Sequence, residues 1–128
     1  MKTRKGYQGE YLAKKELIDK FGSDNVIKIA IAQIGADFMV IMGGKLVLLV
    51  EVKETIGKKY YPKKKEKEQF NRIYEFAKRN KCLAELWVYY RKGSGKPTIK
   101  EASIIHQTDY QALVGRSFQN LQVKPLSY

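Results

Sequence analysis

The sequence predicts an α/β domain in which a mixed five-stranded sheet is flanked by helices. Its 128 residues have the length of one domain, and their hydrophobic content of 44% is typical of a globular protein. The predicted elements run helix, three strands, helix, two strands, and this order favours a mixed sheet with helices packed on it. We therefore interpret residues 1–128 as a single domain and leave the packing of residues 115–128 open.

The first half of the chain contains one helix and a hairpin. Apolar residues recur at helical spacing over Tyr7–Phe21, and Gly22 supplies a stop signal. Extended segments are predicted at Val26–Ala32, Asp37–Met42 and Leu46–Lys53. The last of these is apolar on both faces at its start, as is typical of a central strand. The residues Gly43-Gly44-Lys45 join the last two strands as a hairpin loop.

The second half begins with a lysine-rich loop and continues through one long helix. The predicted elements there are the loop Thr55–Lys64, a helix over Lys65–Asn80, strands at Glu85–Arg91 and Thr98–Ile105, and a short helix capped by Thr108 or Asp109 and ending at Val114. The final residues, Gly115–Tyr128, show no clear period.

Composition narrows the possible functions. Lysine and arginine number 25 against 13 acidic residues, so the formal charge is +12 and favours a polyanionic partner. One cysteine and one histidine exclude a disulfide framework within the chain and metal sites built from these residues. No apolar run approaches the about 20 residues of a membrane span. We expect no membrane partner and a reducing intracellular compartment, the cytoplasm.

One carboxylate stands in an unusual place. Glu51 lies near the end of the most apolar predicted strand, where an ionised group is costly unless it has a partner or a function. Because strand side chains alternate, Glu51 and Lys53 share one face of the sheet. The simplest reading is an ion pair at the end of a strand, and the functional reading is a catalytic pair.

The hairpin relates Glu51 to a second carboxylate. If Gly43-Gly44-Lys45 is a three-residue loop, Asp37 lies directly opposite Glu51 on one face of the sheet. Like charges placed so closely need a cation between them, and Mg²⁺ accepts one or two carboxylates. A two-residue Gly-Gly loop would instead place Asp37 opposite Val50, so this interpretation depends on the register.

Glu10 is the third candidate. It shares the angular sector of Ala13 and Leu17 on the first helix, so it points towards the core side. Either it is an exposed glutamate beside Lys14, or it is a third acidic ligand, direct or through water. A metal held with open positions can activate water and offset the charge that builds on a phosphoryl group. Lys53 would then orient or help deprotonate that water, or stabilise the transition state.

Basic charge concentrates just after these residues. The stretch 53–81 holds eleven lysines and arginines against four glutamates, which is +7 of the total. Lysines with interleaved tyrosines suit phosphate backbones and exposed bases. The candidate DNA-binding residues in this stretch are Lys58, Lys59, Tyr60, Lys63, Lys64 and Lys65.

These motifs together resemble the PD-(D/E)xK nuclease superfamily. Asp37 matches its first acidic position, and Glu51-Val52-Lys53 matches its ExK element. The opening Arg4-Lys5-Gly6-Tyr7-Gln8-Gly9-Glu10 is similar to the RKGxxxE motif of archaeal Holliday-junction resolvases. The resemblance covers residues 4–91. One departure is that residues 32–36 lack the serine often found before the aspartate, and Gln33 is its possible replacement.

The resemblance implies a restriction-endonuclease-like fold and a homodimeric, Mg²⁺-dependent endonuclease that cuts four-way DNA junctions in recombination and repair. Mn²⁺ is expected to substitute for Mg²⁺. By this match Glu10, Asp37 and Glu51 bind the metal with the carbonyl of Val52, and Lys53 is catalytic. The same match assigns DNA phosphate contacts to Arg4 and Lys5.

Three alternatives stay open. A nuclease of the same fold could act on a flap, a nick or a linear duplex, and the protein could instead bind DNA without cutting it, or bind RNA. A resolvase needs paired sites and therefore a dimer with an apolar interface. The candidate residues for that interface are Trp87, Tyr89, Tyr90 and the segment Phe118–Leu126.

Overall fold

The computed structural model describes residues 7–31, 33–106 and 120–125. Its elements are α1 (Tyr7–Phe21), a 3-10 turn (Ser23–Asn25), β1 (Val26–Lys28), β2 (Phe38–Met42), β3 (Lys45–Ile56), α2 (Lys64–Arg79), β4 (Leu83–Arg91), β5 (Ile99–Ile104) and β6 (Asn120–Pro125). The predicted short helix capped by Thr108 or Asp109 lies outside these residues, as do Arg4 and Lys5.

A single sheet organises the described residues, with its strands in the order β1-β2-β3-β4-β5-β6. Only β3 and β4 run parallel, because α2 connects them as a crossover, and the other neighbours are antiparallel. The predicted α/β class with a mixed sheet between flanking helices is confirmed and is consistent with a restriction-endonuclease-like fold. All five predicted strands are present, and β6 adds a sixth in the tail that showed no period.

The two helices cover opposite faces of the sheet. Alternation along β3 sends Leu48, Val50 and Val52 into the core beneath α1, which also contains Ala13 and Leu17 of that helix. Leu49 points the other way, into the core beneath α2. By the same alternation Glu51 and Lys53 face α2. The sheet therefore places the predicted ExK side chains under the second helix rather than the first.

The hairpin between β2 and β3 differs from the prediction. Met42 pairs with Lys45, so the loop has two residues, Gly43 and Gly44, rather than three. Both glycines have positive φ, at 58° and 77°, which suits the mirror-image turns that join twisted strands. The predicted three-residue loop is wrong because Lys45 already belongs to β3.

A bulge then restores the predicted register. Ile41 pairs with Leu46 but Val40 pairs with Leu48, so β3 holds one extra residue, Val47, at this point. Beyond the bulge Phe38 pairs with Val50, the pairing that a three-residue loop would have produced. The register of the two strands therefore rests on a bulge and not on the loop, and Asp37 directly precedes its last pair, Phe38 with Val50.

Several boundaries and one surface also differ from prediction. β1 ends at Lys28 instead of Ala32, and β3 continues to Ile56 instead of Lys53.

The predicted dimer interface also differs from the structure. The aromatic side chains of Trp87, Tyr89 and Tyr90 are all buried and pack inside the protein. They are therefore not available as an apolar patch. No helix in the described ranges is long and apolar enough to cross a membrane.

Candidate functional site

Close packing of α1 on the sheet sets the position of Glu10. A Cβ atom added to Gly9 would lie 3.3 Å from Cδ2 of Tyr89 and 3.4 Å from Cγ1 of Val52, so a larger residue would require these side chains to shift by a few tenths of an ångström. The next residue, Glu10, stands in the first turn with its side chain 38% exposed. Gly9, within the motif at residues 4–10, therefore has a structural role, which is to let α1 pack closely on the sheet.

Asp37 is held against β3 by two backbone hydrogen bonds. Its own N–H donates to the carbonyl of Val50 at 3.0 Å, and the N–H of Val52 donates to Oδ2 of Asp37 at 2.8 Å. These contacts hold the carboxylate of Asp37 near that of Glu51, close enough for its charge to raise the pKa of Glu51. The two carboxyl groups therefore lie near each other, as the sequence suggested, with Asp37 directly before Phe38, which pairs with Val50.

Glu51 is a buried carboxyl group whose charged form is disfavoured. Its side chain is 4% exposed. Oε2 accepts a hydrogen bond from Nε2 of Gln69 at 2.8 Å, whereas Oε1 is buried without a hydrogen-bond partner. Burial, followed by the negative charge of Asp37, raises the pKa of Glu51 from 4.5 to about 8, although Lys53 lowers it in part. Such a group needs a proton or a cation.

Lys53 and Gln69 surround Glu51 from two elements. Nζ of Lys53 lies 3.1 Å from Oε2 of Glu51, 3.1 Å from Oε1 of Gln69 and 3.5 Å from Oε2 of Glu66. Gln69 also donates to the carbonyl of Gly35, whose φ is +83°. One glutamine therefore ties the loop before Asp37 to both members of the ExK element.

Sequence reasoning missed Gln69. A signal was present, because Gln69 lies one turn before the buried Ile73 and thus on the core-facing side of α2. A polar residue at such a position requires a partner, as Glu51 does. Glutamine carries no charge, so it did not stand out among the four glutamates of the region.

Glu10 and Asp37 are bridged by a lysine that sequence reasoning also missed. Nζ of Lys28 lies 3.3 Å from Oε1 of Glu10 and 3.3 Å from Oδ1 of Asp37. Burial and the charge of Asp37 raise the pKa of Glu10, and Lys28 opposes this rise. The structure thus brings Asp37 together with Glu10 on one side and with Glu51 on the other.

The three carboxylates do not form a closed metal cage as they stand. Within residues 7–31, 33–106 and 120–125, no three acidic, histidine or cysteine side chains are close enough together to hold an ion. The ammonium groups of Lys28 and Lys53 lie among the carboxylates instead. The donor set nevertheless fits Mg²⁺, because it consists of oxygen atoms and includes a buried carboxylate oxygen of Glu51 that has no partner.

The lysine-rich segment begins beside this site. Lys58, Lys59, Lys63, Lys64 and Lys65 are all exposed, as the DNA-binding prediction requires. Oε1 of Glu66 accepts a hydrogen bond from the N–H of Lys63 at 2.9 Å, and its other oxygen faces Lys53. Glu66 therefore links the start of α2 to the ExK lysine.

Tyr60 needs a correction. The sequence predicts that Tyr60 contacts DNA, but the residue is only 7% exposed and packs in the core beneath α2. It cannot stack on a base without leaving that core. The neighbouring Tyr61 is 53% exposed and is the tyrosine of this segment that a base could reach.

Comparison with known proteins adds no family assignment. No protein-family model matches the chain, and no curated protein matches it. The resemblance to junction resolvases therefore rests on the motifs at residues 4–10, 37 and 51–53, and it stays a prediction.

Proposed function

We propose that the protein is a Mg²⁺-dependent endodeoxyribonuclease that resolves four-way DNA junctions. The observation that carries the proposal is the buried Oε1 of Glu51, which has no hydrogen-bond partner and belongs to a carboxyl group beside Asp37. Buried oxygens and apposed carboxylates are normally compensated by a hydrogen-bond donor or a positive charge. A divalent cation bound here would give the buried oxygen a partner and would neutralise the two neighbouring carboxylates.

Asp37 and Glu51 would hold the ion, with Glu10 as a third ligand, direct or through water, and the carbonyl of Val52 as a further candidate. When bound there, Mg²⁺ supplies an activated water and offsets negative charge on the phosphoryl group. Oδ2 of Asp37 already accepts the N–H of Val52, and this bond keeps the carboxylate in one orientation. Preorganisation of this kind spares the site from reordering during the reaction.

Lys53 is the proposed catalytic lysine. Its ammonium group is held by Glu51, Gln69 and Glu66, and its side chain is 22% exposed. A cation fixed in this way can orient the attacking water or donate a hydrogen bond to the developing phosphorane oxygens. Gln69 supports both roles because it contacts Lys53 and Glu51 at once.

In this proposal the lysine-rich segment, residues 58–65, attracts DNA to the site. Its five exposed lysines lie in the segment between β3 and α2 and in the first turn of α2, near an acidic site that would by itself repel a polyanion. Lysine contacts to phosphate provide affinity through counterion release and carry little sequence information. Arg4 and Lys5 are proposed as further phosphate contacts by their resemblance alone. A homodimer would supply the second active site that paired cuts require.

A cleavage assay tests the proposal directly. Labelled substrates are a synthetic four-way junction, a flap, a nicked duplex and a linear duplex, each incubated with Mg²⁺, with Mn²⁺ or with EDTA. We expect symmetric nicks in the junction with either metal and no cleavage in EDTA. Asp37→Asn should abolish cleavage while DNA binding is retained or becomes tighter, because one negative charge near the phosphates is removed.

The control variant is Asp19→Asn, which removes an exposed carboxylate from α1 and should cut normally. Cleavage of the flap, nick or duplex in preference to the junction would assign the protein to another nuclease class of this fold. Metal-dependent binding without cleavage of any substrate, or full activity in Asp37→Asn, would contradict the proposed active site.

A further inference from the structure

Lys28 occupies the space between two proposed metal ligands. Its Nζ is 3.3 Å from both Glu10 and Asp37, and 5.0 Å from the centre of the Phe38 ring. The pairing of Lys28 with Phe38 across β1 and β2 brings the side chain to this position. A primary ammonium group there neutralises carboxylates that would otherwise repel each other.

The lysine is held loosely enough to leave. Its side chain is 47% exposed, and it stands at the end of the three-residue edge strand β1. Exposed ion pairs of this length contribute little to stability, so displacing the ammonium group into solvent costs little. The carboxylates of Asp37 and Glu51, in contrast, are held by backbone and side-chain hydrogen bonds.

The balance of charges at the site explains why the position of Lys28 affects the binding of a divalent cation. Glu10, Asp37 and Glu51 carry three negative charges when ionised, and Lys28 and Lys53 carry two positive charges. Lys53 has three partners on β3 and α2, whereas the contacts of Lys28 are with the two carboxylates and the Phe38 ring. A divalent cation entering next to Asp37 would be repelled by the ammonium group of Lys28 until that group moved.

We infer that Lys28 is a built-in counter-cation that competes with the divalent metal for Glu10 and Asp37 and thereby lowers the metal affinity of the free protein. This inference rests on the proposed function, since it concerns the same site. Removing the charge should free two oxygen ligands and eliminate repulsion between +1 and +2 charges a few ångströms apart. We expect Lys28→Met to bind the metal about tenfold more tightly than the wild type.

The test measures metal binding without DNA or turnover. Free Mn²⁺ is followed by electron paramagnetic resonance as it is titrated into metal-free protein. Lys28→Arg keeps the charge and should bind Mn²⁺ no more tightly than the wild type. Lys20→Met removes an equal charge ten residues, about 15 Å, after Glu10 on α1 and should match the wild type.

The outcomes separate this inference from the proposed function. Tighter binding by Lys28→Met alone supports the inference, provided that Asp37→Asn abolishes binding and so locates the ion. Equal or weaker binding by Lys28→Met, with binding still lost in Asp37→Asn, overturns the inference and leaves the metal site intact. Absence of Mn²⁺ binding in every variant, or binding retained by Asp37→Asn, overturns both. Lys28→Gln serves as the neutral variant if Lys28→Met does not fold.

Discussion

Replacing Glu51 by glutamine should stabilise the metal-free protein at alkaline pH while it destroys the proposed active site. The substitution keeps the size of the side chain and an oxygen that can accept the hydrogen bond from Gln69. It removes a carboxylate whose charged form is disfavoured by burial and by Asp37. The same residue should therefore be unfavourable for folding and necessary for function.

The direction and size of this change in stability follow from the raised pKa of Glu51. Between pH 4.5 and about 8, the folded protein retains a proton on Glu51 that the unfolded chain has released. The stabilising contribution of that proton is complete below pH 4.5 and is lost as pH rises through about 8. A pKa shift from 4.5 to about 8 corresponds to a loss of roughly 3–5 kcal/mol across this window.

Urea unfolding in EDTA at pH 5 and pH 9 measures the effect. We expect the wild type to lose stability relative to Glu51→Gln by roughly 3–5 kcal/mol on going from pH 5 to pH 9. Glu75→Gln, an exposed neutralisation on α2, should show no such change. A stability difference between wild type and Glu51→Gln that is the same at both pH values would refute the reasoning.

Three further predictions concern the surroundings of the site. Gln69→Ala removes the contacts to Glu51, Gly35 and Lys53, so cleavage should slow about 10–100-fold while junction affinity, measured by gel shift, stays within about twofold; an unchanged rate would show that the glutamine is only structural. Changing Lys58, Lys59, Lys63, Lys64 and Lys65 to glutamine should weaken binding to every DNA shape and reduce the slope of log affinity against log salt by about 0.9 for each lost contact. The matched control changes five exposed lysines elsewhere, Lys14, Lys15, Lys20, Lys45 and Lys92, and if both variants lower the slope equally the segment has no special role. Sedimentation at micromolar concentration should give a species of twice the chain mass of 14.8 kDa, and a monomer that stays monomeric on junction DNA would contradict a resolvase.

The hairpin shows how far sequence reasoning reaches. Two carboxylates flanking a glycine turn, each next to an apolar run, led to the prediction that Asp37 and Glu51 lie together if the loop has three residues. The loop length was wrong, and an extra residue at Val47 compensated for it. A bulge has no reliable mark in a short apolar segment, because which residue is left unpaired depends on packing against both helices.

The burial of three aromatic residues could not be predicted from the sequence either. Trp87, Tyr89 and Tyr90 lie in a strand that pairs on both sides, with β3 and with β5, and helices cover both of its faces. A run of large apolar residues reads equally as a core strand or as a surface patch. Only the parallel pairing created by α2 decides between the two, and it makes β4 a central strand.

The members of the site that were predicted and those that were missed differ in one physical respect. Glu51 was recognisable because a carboxylate in an apolar strand is anomalous in its local sequence. Lys28 on a short edge strand and Gln69 on a charged helix are ordinary where they stand. They become part of the site only through the pairing of β1 with β2 and the packing of α2 over β3, contacts between separate elements of the fold. Local sequence can therefore identify a buried charge that needs a partner. The residues that act as its partners become visible only in the tertiary fold.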